Sequence, residues 1–371
     1  MKQKKTRSYS EYKGVDMFGY KNSIVQQDLE EIINKKEIPF QKLQNKSVLI
    51  TGASGMLATY MVYTLMYLNE IKEYNINVLA LVRNKAKAEK RFCDFLENKN
   101  FEILVQDVCE KINTETKVDY IIHAAGNASP KFIISDPVGI IKANTLGTIN
   151  VLEFAKKNEV NNVLYTSTRE VYGKVDNAEE IYEDTMGVLE PTELRACYPE
   201  SKRMSETILE SYRVQYEVPY CTVRIAHSYG PGMAINEDGR VMSDFISDVV
   251  NDRNIVLKST GTAKRAFCYI TDAVSALFLV LLKGENGAAY NVANEKEEKE
   301  IREVASMLVQ LKKESDLKVV FDIPETQSAG YSKMGRVKLN TAKLEQLGWS
   351  ADVYLQDGLE RTVESFKKAY V

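Results

Sequence analysis

The sequence predicts an α/β protein: a doubly wound parallel sheet with a smaller α/β lobe at its C-terminal end. Three observations carry that expectation. Short apolar, β-rich runs recur at 46–51, 77–82, 103–105, 119–125 and 162–165, with helical periodicity between several of them. The first run passes directly into a glycine turn, Gly52-Ala-Ser-Gly55-Met-Leu-Ala58, and then into an apolar helix through Met61, Leu65 and Leu68. The last run breaks abruptly into hydroxyls and charges, Thr166-Ser-Thr-Arg-Glu170, and ligands of open parallel sheets sit at such carboxyl ends of strands.

Composition narrows the function. A chain of 371 residues, 44% hydrophobic and 27% charged, suits one large domain or two sharing a core. Its net charge of −3, with both signs mixed throughout, gives no basic face and no case for a nucleic acid partner. Cys93, Cys109, Cys197, Cys221 and Cys268 are odd in number and lack CxxC spacing, as expected of reduced thiols in a cytoplasmic protein. His123 and His227 are the only histidines, so no metal site is expected. The basic N-terminus lacks an apolar core and no run reaches transmembrane length, so no membrane partner is expected either.

Taken in order, residues 1–22 read as an arm or poorly ordered tail. Ile24, Val25, Leu29, Ile32 and Ile33 give residues 23–36 one apolar helical face, which Pro39 ends. This helix is expected to pack on the domain that follows, with docking onto a second subunit equally open. Strand 46–51 then enters the glycine turn. Gly52 lets the chain reverse, Gly55 admits a pyrophosphate, and Ala58 allows close helix–strand packing. Gly52, Ser54, Gly55, Met56 and Leu57 at this helix start are therefore the expected dinucleotide contacts.

Strand 77–82 ends at Arg83, where an acidic residue would bind the adenosine ribose. An arginine suits a 2′-phosphate and tilts the expected cofactor, NAD(P), towards NADP, with NAD still open. Asp107, followed by Val108, is placed to meet the adenine amine. Ala124-Ala125-Gly126 leaves room for close approach of the cofactor, and Asn144 lies within a long helix at 137–157. Further on, Tyr198 and Lys202 share a helix face, and a lysine beside a phenol favours the phenolate, a base at neutral pH. In the C-terminal lobe, helices through Val241–Val249 positions and 274–282 and a strand at 288–293 are expected. The Lys/Glu run at 295–300 reads as a solvated helix start.

Together these motifs resemble the extended short-chain dehydrogenase/reductase family, in its nucleotide-sugar epimerase, dehydratase and decarboxylase group. The resemblance spans about residues 46–368. It rests on the glycine turn, His123-Ala-Ala-Gly126, Asn144, Thr168 and the Tyr198/Lys202 pair, in the family's order. Val223-Arg-Ile-Ala-His-Ser-Tyr-Gly-Pro231, Arg265-Ala-Phe-Cys-Tyr-Ile-Thr-Asp272 and Leu344-Glu-Gln-Leu-Gly-Trp349 extend it. The resemblance implies a Rossmann domain at 46–225 binding NAD(P) and a lobe at 226–371 gripping a nucleotide-diphosphate sugar, some of whose segments return to the sheet. The arm and first helix occupy 1–45. A homodimer and a place in surface polysaccharide or sugar-nucleotide biosynthesis are also implied.

Residue by residue, the resemblance makes Tyr198 the base for the sugar C4 hydroxyl, with Thr168 on the same oxygen and Lys202 on the cofactor ribose. Arg265 would pair with the diphosphate. His227 stands where the family has Asn, and Arg240 and Val241 belong to a substrate-loop segment, Asp238-Gly-Arg-Val241. Thr168-Arg-Glu-Val-Tyr-Gly173 keeps the glutamate that dehydratases and decarboxylases use at C5, so Glu170 implies chemistry beyond simple C4 inversion. Dehydratases carry an aspartic acid where this chain has Arg169, and a guanidinium stays protonated. Decarboxylases carry an arginine where it has Gly232. The implied enzyme oxidises C4 transiently and then acts at C5 or C6. A 4-epimerase or 4-ketoreductase is the alternative, and a non-catalytic dinucleotide sensor a remote one.

Overall fold

Seven parallel strands form the central sheet: β1 (Ser47–Thr51), β2 (Asn77–Val82), β3 (Phe101–Val105), β4 (Tyr120–His123), β5 (Asn162–Thr168), β6 (Tyr220–Ile225) and β7 (Ala289–Val292). Their spatial order is β3-β2-β1-β4-β5-β6-β7. Thr51 pairs with Leu81 on one side and His123 on the other, so the strand order reverses beside β1. That reversal opens a crevice at the carboxyl ends of β1 and β4, where such sheets bind ligands. The structure, a computed structural model, describes residues 19–176, 178–235, 239–312, 314–323 and 338–366. The expected arm therefore falls, up to residue 18, outside the described residues, as does Asp238.

Helix α1 (Ser23–Ile33) opens the described chain, and α2 (Met56–Lys72) follows β1. From Ala58 to Leu68 every residue of α2 is buried, as expected of a helix that is apolar all round. One cover is α1, which settles the question of its docking within this chain. Asp28 of α1 is fully buried and accepts hydrogen bonds from Tyr60 of α2 (2.7 Å) and Tyr269 (2.9 Å), while Arg361 reaches it at 3.1 Å. A single carboxylate thus joins the N-terminal helix, the first sheet helix and the C-terminal lobe.

Helices α3 (Pro137–Asn158) and α4 (Cys197–Tyr216) pack side by side on the opposite face. Lobe segments include α5 (Val241–Val250), α6 (Ile270–Lys283), α7 (Ile301–Gln310) and α8 (Leu355–Ser365). Strand β7 extends the central sheet and the buried helix α6 packs against it, although both lie beyond residue 226 in the chain. One local expectation is corrected: Glu298–Glu300 forms a strand antiparallel to Lys264–Ala266 before Glu300 caps α7. Charged side chains alternating on an exposed two-stranded ribbon satisfy its outer face.

Candidate active site

Each part of the site grows from the carboxyl edge of the sheet. Gly52 has φ 64°, and a Cβ there would meet the Ala124 carbonyl oxygen at 2.8 Å and the Ala125 Cα at 2.8 Å. The turn after β1 therefore lies directly on the end of β4, and only glycine fits both the backbone angle and the contact. The cap of α2, Gly55, supplies no side-chain hydrogen bond, so the first N–H groups of the helix face outward. Ser54, Gly55, Met56 and Leu57 all keep accessible surface at this end. We expect Gly52→Ala to cost about 1–3 kcal/mol and to weaken dinucleotide binding, read by thermal melting and by titration with NAD(P).

Below the turn runs a fully buried polar chain. Thr148 donates to the Asn144 carbonyl, so His123 Nε2 must be the donor in its 3.1 Å contact with Thr148 Oγ1. His123 Nδ1 then accepts from the Thr51 hydroxyl at 2.8 Å, and Thr51 Oγ1 accepts from the Ala125 N–H at 3.1 Å. Burial, aided by the Lys202 charge, pushes the His123 pKa down to about 3, which keeps the ring neutral for this role.

Above Gly126, two polar groups converge. A Cβ on Gly126 would meet Asn144 Oδ1 at 2.8 Å and Lys202 Nζ at 3.4 Å. Asn144 gives its amide hydrogen to Ser201 Oγ at 2.8 Å, leaving Oδ1 buried with no partner among the described residues. Lys202 Nζ donates to the Thr166 carbonyl at 2.7 Å and lies 4.6 Å over the Tyr165 ring. Burial brings its pKa down to about 7, with Glu206 pulling upward.

At the end of β5, the Thr168 hydroxyl caps the Glu170 N–H (3.2 Å) and faces the buried Tyr198 phenol. Burial first, then the Glu170 charge, holds that phenol above the ordinary tyrosine range. Thr168 and the cations of Arg240 and Arg195 pull it back. Two arginines on other elements, Arg240 and Arg195, thus contribute cationic pull on Tyr198, while Lys202 gives one of its three Nζ hydrogens to the Thr166 carbonyl.

Arg195 had not been anticipated. It sits in the turn Leu194–Ala196 before α4 and donates to Glu170 Oε1 at 2.9 Å. Nothing in the local pattern marks it, because the pair closes only when the chain between them loops back. Arg169 Nη1 lies 3.3 Å from His227 Nε2, bringing the end of β5 to the loop after β6. Arg240 caps α5 and Val241 begins it.

Four further expected residues lie on neighbouring segments. Arg83 and Asp107 face each other at 4.0 Å across the ends of β2 and β3, both substantially exposed. Val108 turns its side chain into the core against Gly147, and Asn150 takes its carbonyl at 3.0 Å. This removes its side chain from the cofactor face. Arg265 lies on the Lys264–Ala266 ribbon with Nη1 on the Lys264 carbonyl at 2.7 Å. The same segment continues into Cys268–Tyr269, which pairs with Ser228–Tyr229.

A nicotinamide dinucleotide fits these residues. The Gly52 cradle with its uncapped helix start accepts a diphosphate, and the orphaned Asn144 Oδ1 with Lys202 offers an acceptor and a donor to a ribose-sized polar group. No group of three or more His, Cys, Asp or Glu suited to a metal occurs among the described residues. No described helix is long and apolar enough to cross a membrane. Fold and site together define a dinucleotide-dependent α/β enzyme.

Comparison with known proteins refines that class. The chain belongs to the NAD dependent epimerase/dehydratase family, whose profile matches residues 48–293, and NAD(P) is accordingly its class of cofactor. It is 32% identical over 325 residues to UDP-glucuronic acid decarboxylase 6 of Arabidopsis thaliana, covering 87% of this chain and 89% of the relative. UDP-glucuronic acid decarboxylase 1 of Xenopus tropicalis is 32% identical over 350 residues, covering 92% and 78%. Among solved structures, UDP-glucose 4-epimerase of Thermotoga maritima superposes with a TM-score of 0.73 at 22% identity, covering 86% of this chain and 98% of that one. The dTDP-glucose 4,6-dehydratase of Bacillus anthracis gives 0.72 at 20% identity, covering 88% and 97%. These two likenesses extend the agreement in fold.

Proposed function

We propose that this enzyme modifies a nucleotide-diphosphate sugar by oxidising its C4 hydroxyl transiently and then acting at C5 or C6. The observation that carries the reading is the grouping of Thr168, Tyr198 and Glu170 at the end of β5, close enough for the Glu170 charge to act on the phenol. One group to take a hydroxyl proton and a second carboxylate beside it suit a two-stage reaction at neighbouring sugar carbons. Likeness to relatives named UDP-glucuronic acid decarboxylase supports testing nucleotide-linked glucuronic acid as a substrate.

Within this reading Tyr198 Oη takes the C4 hydroxyl proton, and the Thr168 hydroxyl orients the same oxygen. When bound, the nicotinamide supplies the acceptor for the C4 hydride. Asn144 and Lys202 hold its ribose side, and the turn at Gly52–Leu57 holds its diphosphate. Glu170, kept in place by Arg195, serves the proton at C5. Arg83 favours NADP over NAD, with Asp107 at the adenine end. Arg240 and Arg265 serve the substrate's nucleotide end. The exposed apolar residues Val138, Ile141 and Leu146 of α3 and Met204 of α4 support a homodimer formed through these helices.

Adding nucleotide sugars to the NAD(P)-loaded protein should raise a transient absorbance in the reduced-nicotinamide band. A silent band with every sugar nucleotide would rule the reading out. Product mass then separates loss of CO2, loss of water and no change. In Glu170→Gln the band should still rise but persist, because the step after C4 oxidation stalls. Normal turnover by that variant would remove Glu170 from the mechanism.

A further inference from the structure

Tyr198, Lys202 and Glu206 recur every fourth residue along α4 and so line one stripe of the helix. The carboxyl end of β5 answers each of them. Thr168 faces the Tyr198 phenol, the Thr166 carbonyl accepts from Lys202 Nζ at 2.7 Å, and the Ser167 hydroxyl donates to Glu206 Oε1 at 2.5 Å. Glu206 is the member of this stripe that the chemistry above leaves unused. Its carboxylate is held further by Arg224 of β6, which donates Nε to Oε1 at 3.1 Å and Nη2 to Oε2 at 2.6 Å, a bidentate fork. Arg224 Nη1 donates in turn to the Tyr172 hydroxyl at 3.0 Å and the Glu183 carbonyl at 2.6 Å, and Tyr172 donates to Asn291 of β7 at 2.6 Å.

Both side chains of the pair are largely enclosed, at 14% and 17% exposure. An enclosed ion pair is seldom worth much in stability, because apolar side chains of similar volume often serve as well. This one has a second consequence. Glu206 stands one helical turn from Lys202, and its charge opposes the burial that brings the lysine down to about 7. Facing Lys202 from the other elements are the Tyr165 ring of β5, the neutral His123 of β4 and the Asn144 amide of α3, none of them anionic. On α4 itself the Tyr198 phenol is held protonated by burial. Glu206 in turn meets Arg224 and the phenols of Tyr165 and Tyr220, both raised by burial. The negative charge acting on Lys202 is therefore that of Glu206.

We propose that Glu206, clamped by Ser167 and Arg224, is a positioning residue for the dinucleotide: it keeps Lys202 an ammonium donor toward the ribose side of the cofactor. The inference rests on the reading of Lys202 as a cofactor contact. The Thr166 carbonyl fixes where Nζ lies, and the carboxylate one turn further along α4 fixes its charge.

Fluorescence titration with NADH from about pH 6 to about pH 9 tests this without turnover. Wild-type affinity should fall as pH rises through the Lys202 range, because an ammonium donates a stronger hydrogen bond than a neutral amine. Glu206→Gln keeps the shape and removes the charge, so the fall should begin about one pH unit lower. Glu206→Asp, which retains the charge, should keep the wild-type profile. Glu206→Gln combined with Arg224→Gln leaves no unpaired arginine, with the fold checked by melting, and should show the displaced profile too. An undisplaced profile in both Gln variants overturns the role of Glu206 and reduces the pair to a structural one. Lys202→Met should flatten the profile. If it leaves both the affinity and the profile unchanged, the cofactor reading of Lys202 falls and the inference with it.

Discussion

Tyr198→Phe is expected to slow C4 oxidation by about 10²–10⁴-fold, the usual contribution of a positioned acid–base group. The readout is the stopped-flow rise of reduced-nicotinamide absorbance after adding substrate. Phenylalanine keeps the ring that packs with Ile133 and Ile140, so folding should be preserved. Dinucleotide affinity should also hold, since Gly52, Asn144 and Lys202 are untouched. The pH dependence sharpens the test. The proton is accepted by the deprotonated phenol, and burial with Glu170 holds that phenol above its ordinary range. The wild-type oxidation rate should therefore climb as pH rises through neutrality. Glu170→Gln removes a negative neighbour, lowers the phenol's pKa and should move that climb to lower pH. A Tyr198→Phe variant with an unaltered rise would assign the base to another group.

The largest expected loss of stability is at Asp28, far from the chemistry. Asp28→Ala leaves the Tyr60 and Tyr269 hydroxyls and the Arg361 guanidinium facing a buried gap. Breaking a buried pair in this way costs about 3–5 kcal/mol, measurable as a lower denaturation midpoint in urea. Burial raises the Asp28 pKa to about 6, against hydrogen bonds from Tyr60 and Tyr269 and the Arg361 charge. An unfolded aspartate titrates near about 3.9. The folded state therefore keeps a proton that the unfolded state has lost between these values, and stability from this group falls as pH rises through that window.

Asp272, also raised to about 6, acts in the same direction. His123, lowered to about 3, acts oppositely, since its contribution is lost as pH falls below the ordinary histidine range. Only the difference between Asp28→Asn and wild type isolates Asp28. The Asn variant should gain relative stability as pH rises from about 4 to about 6. A difference independent of pH would show that Asp28 has the same pKa folded and unfolded.

Much of the dinucleotide edge was legible in the chain. Strand β1, the Gly52 turn and α2 are contiguous, so their geometry follows from local backbone preferences and apolar period. Tyr198 and Lys202, four residues apart on one helix, were legible for the same reason. The wider electrostatics of that pair were not: Lys202 also bonds the Thr166 carbonyl, and further cations acting on Tyr198 come from the turn before α4 and the cap of α5. The charged run ending at Glu300 looked like a helix start because its partner strand, Lys264–Ala266, lies far back in the chain.

By itself the sequence determined the layered fold, the glycine cradle and the kinds of reactive group at the end of β5, all of which follow from patterns a few residues long. The tertiary structure decided which charges meet. It joined Glu170 to Arg195, Arg169 to His227, and Asp28 to Arg361 across 25, 58 and 333 residues. Interaction between charges depends on distance in space and on the surrounding dielectric. Folding sets both by bringing separate loops together and removing water from between them.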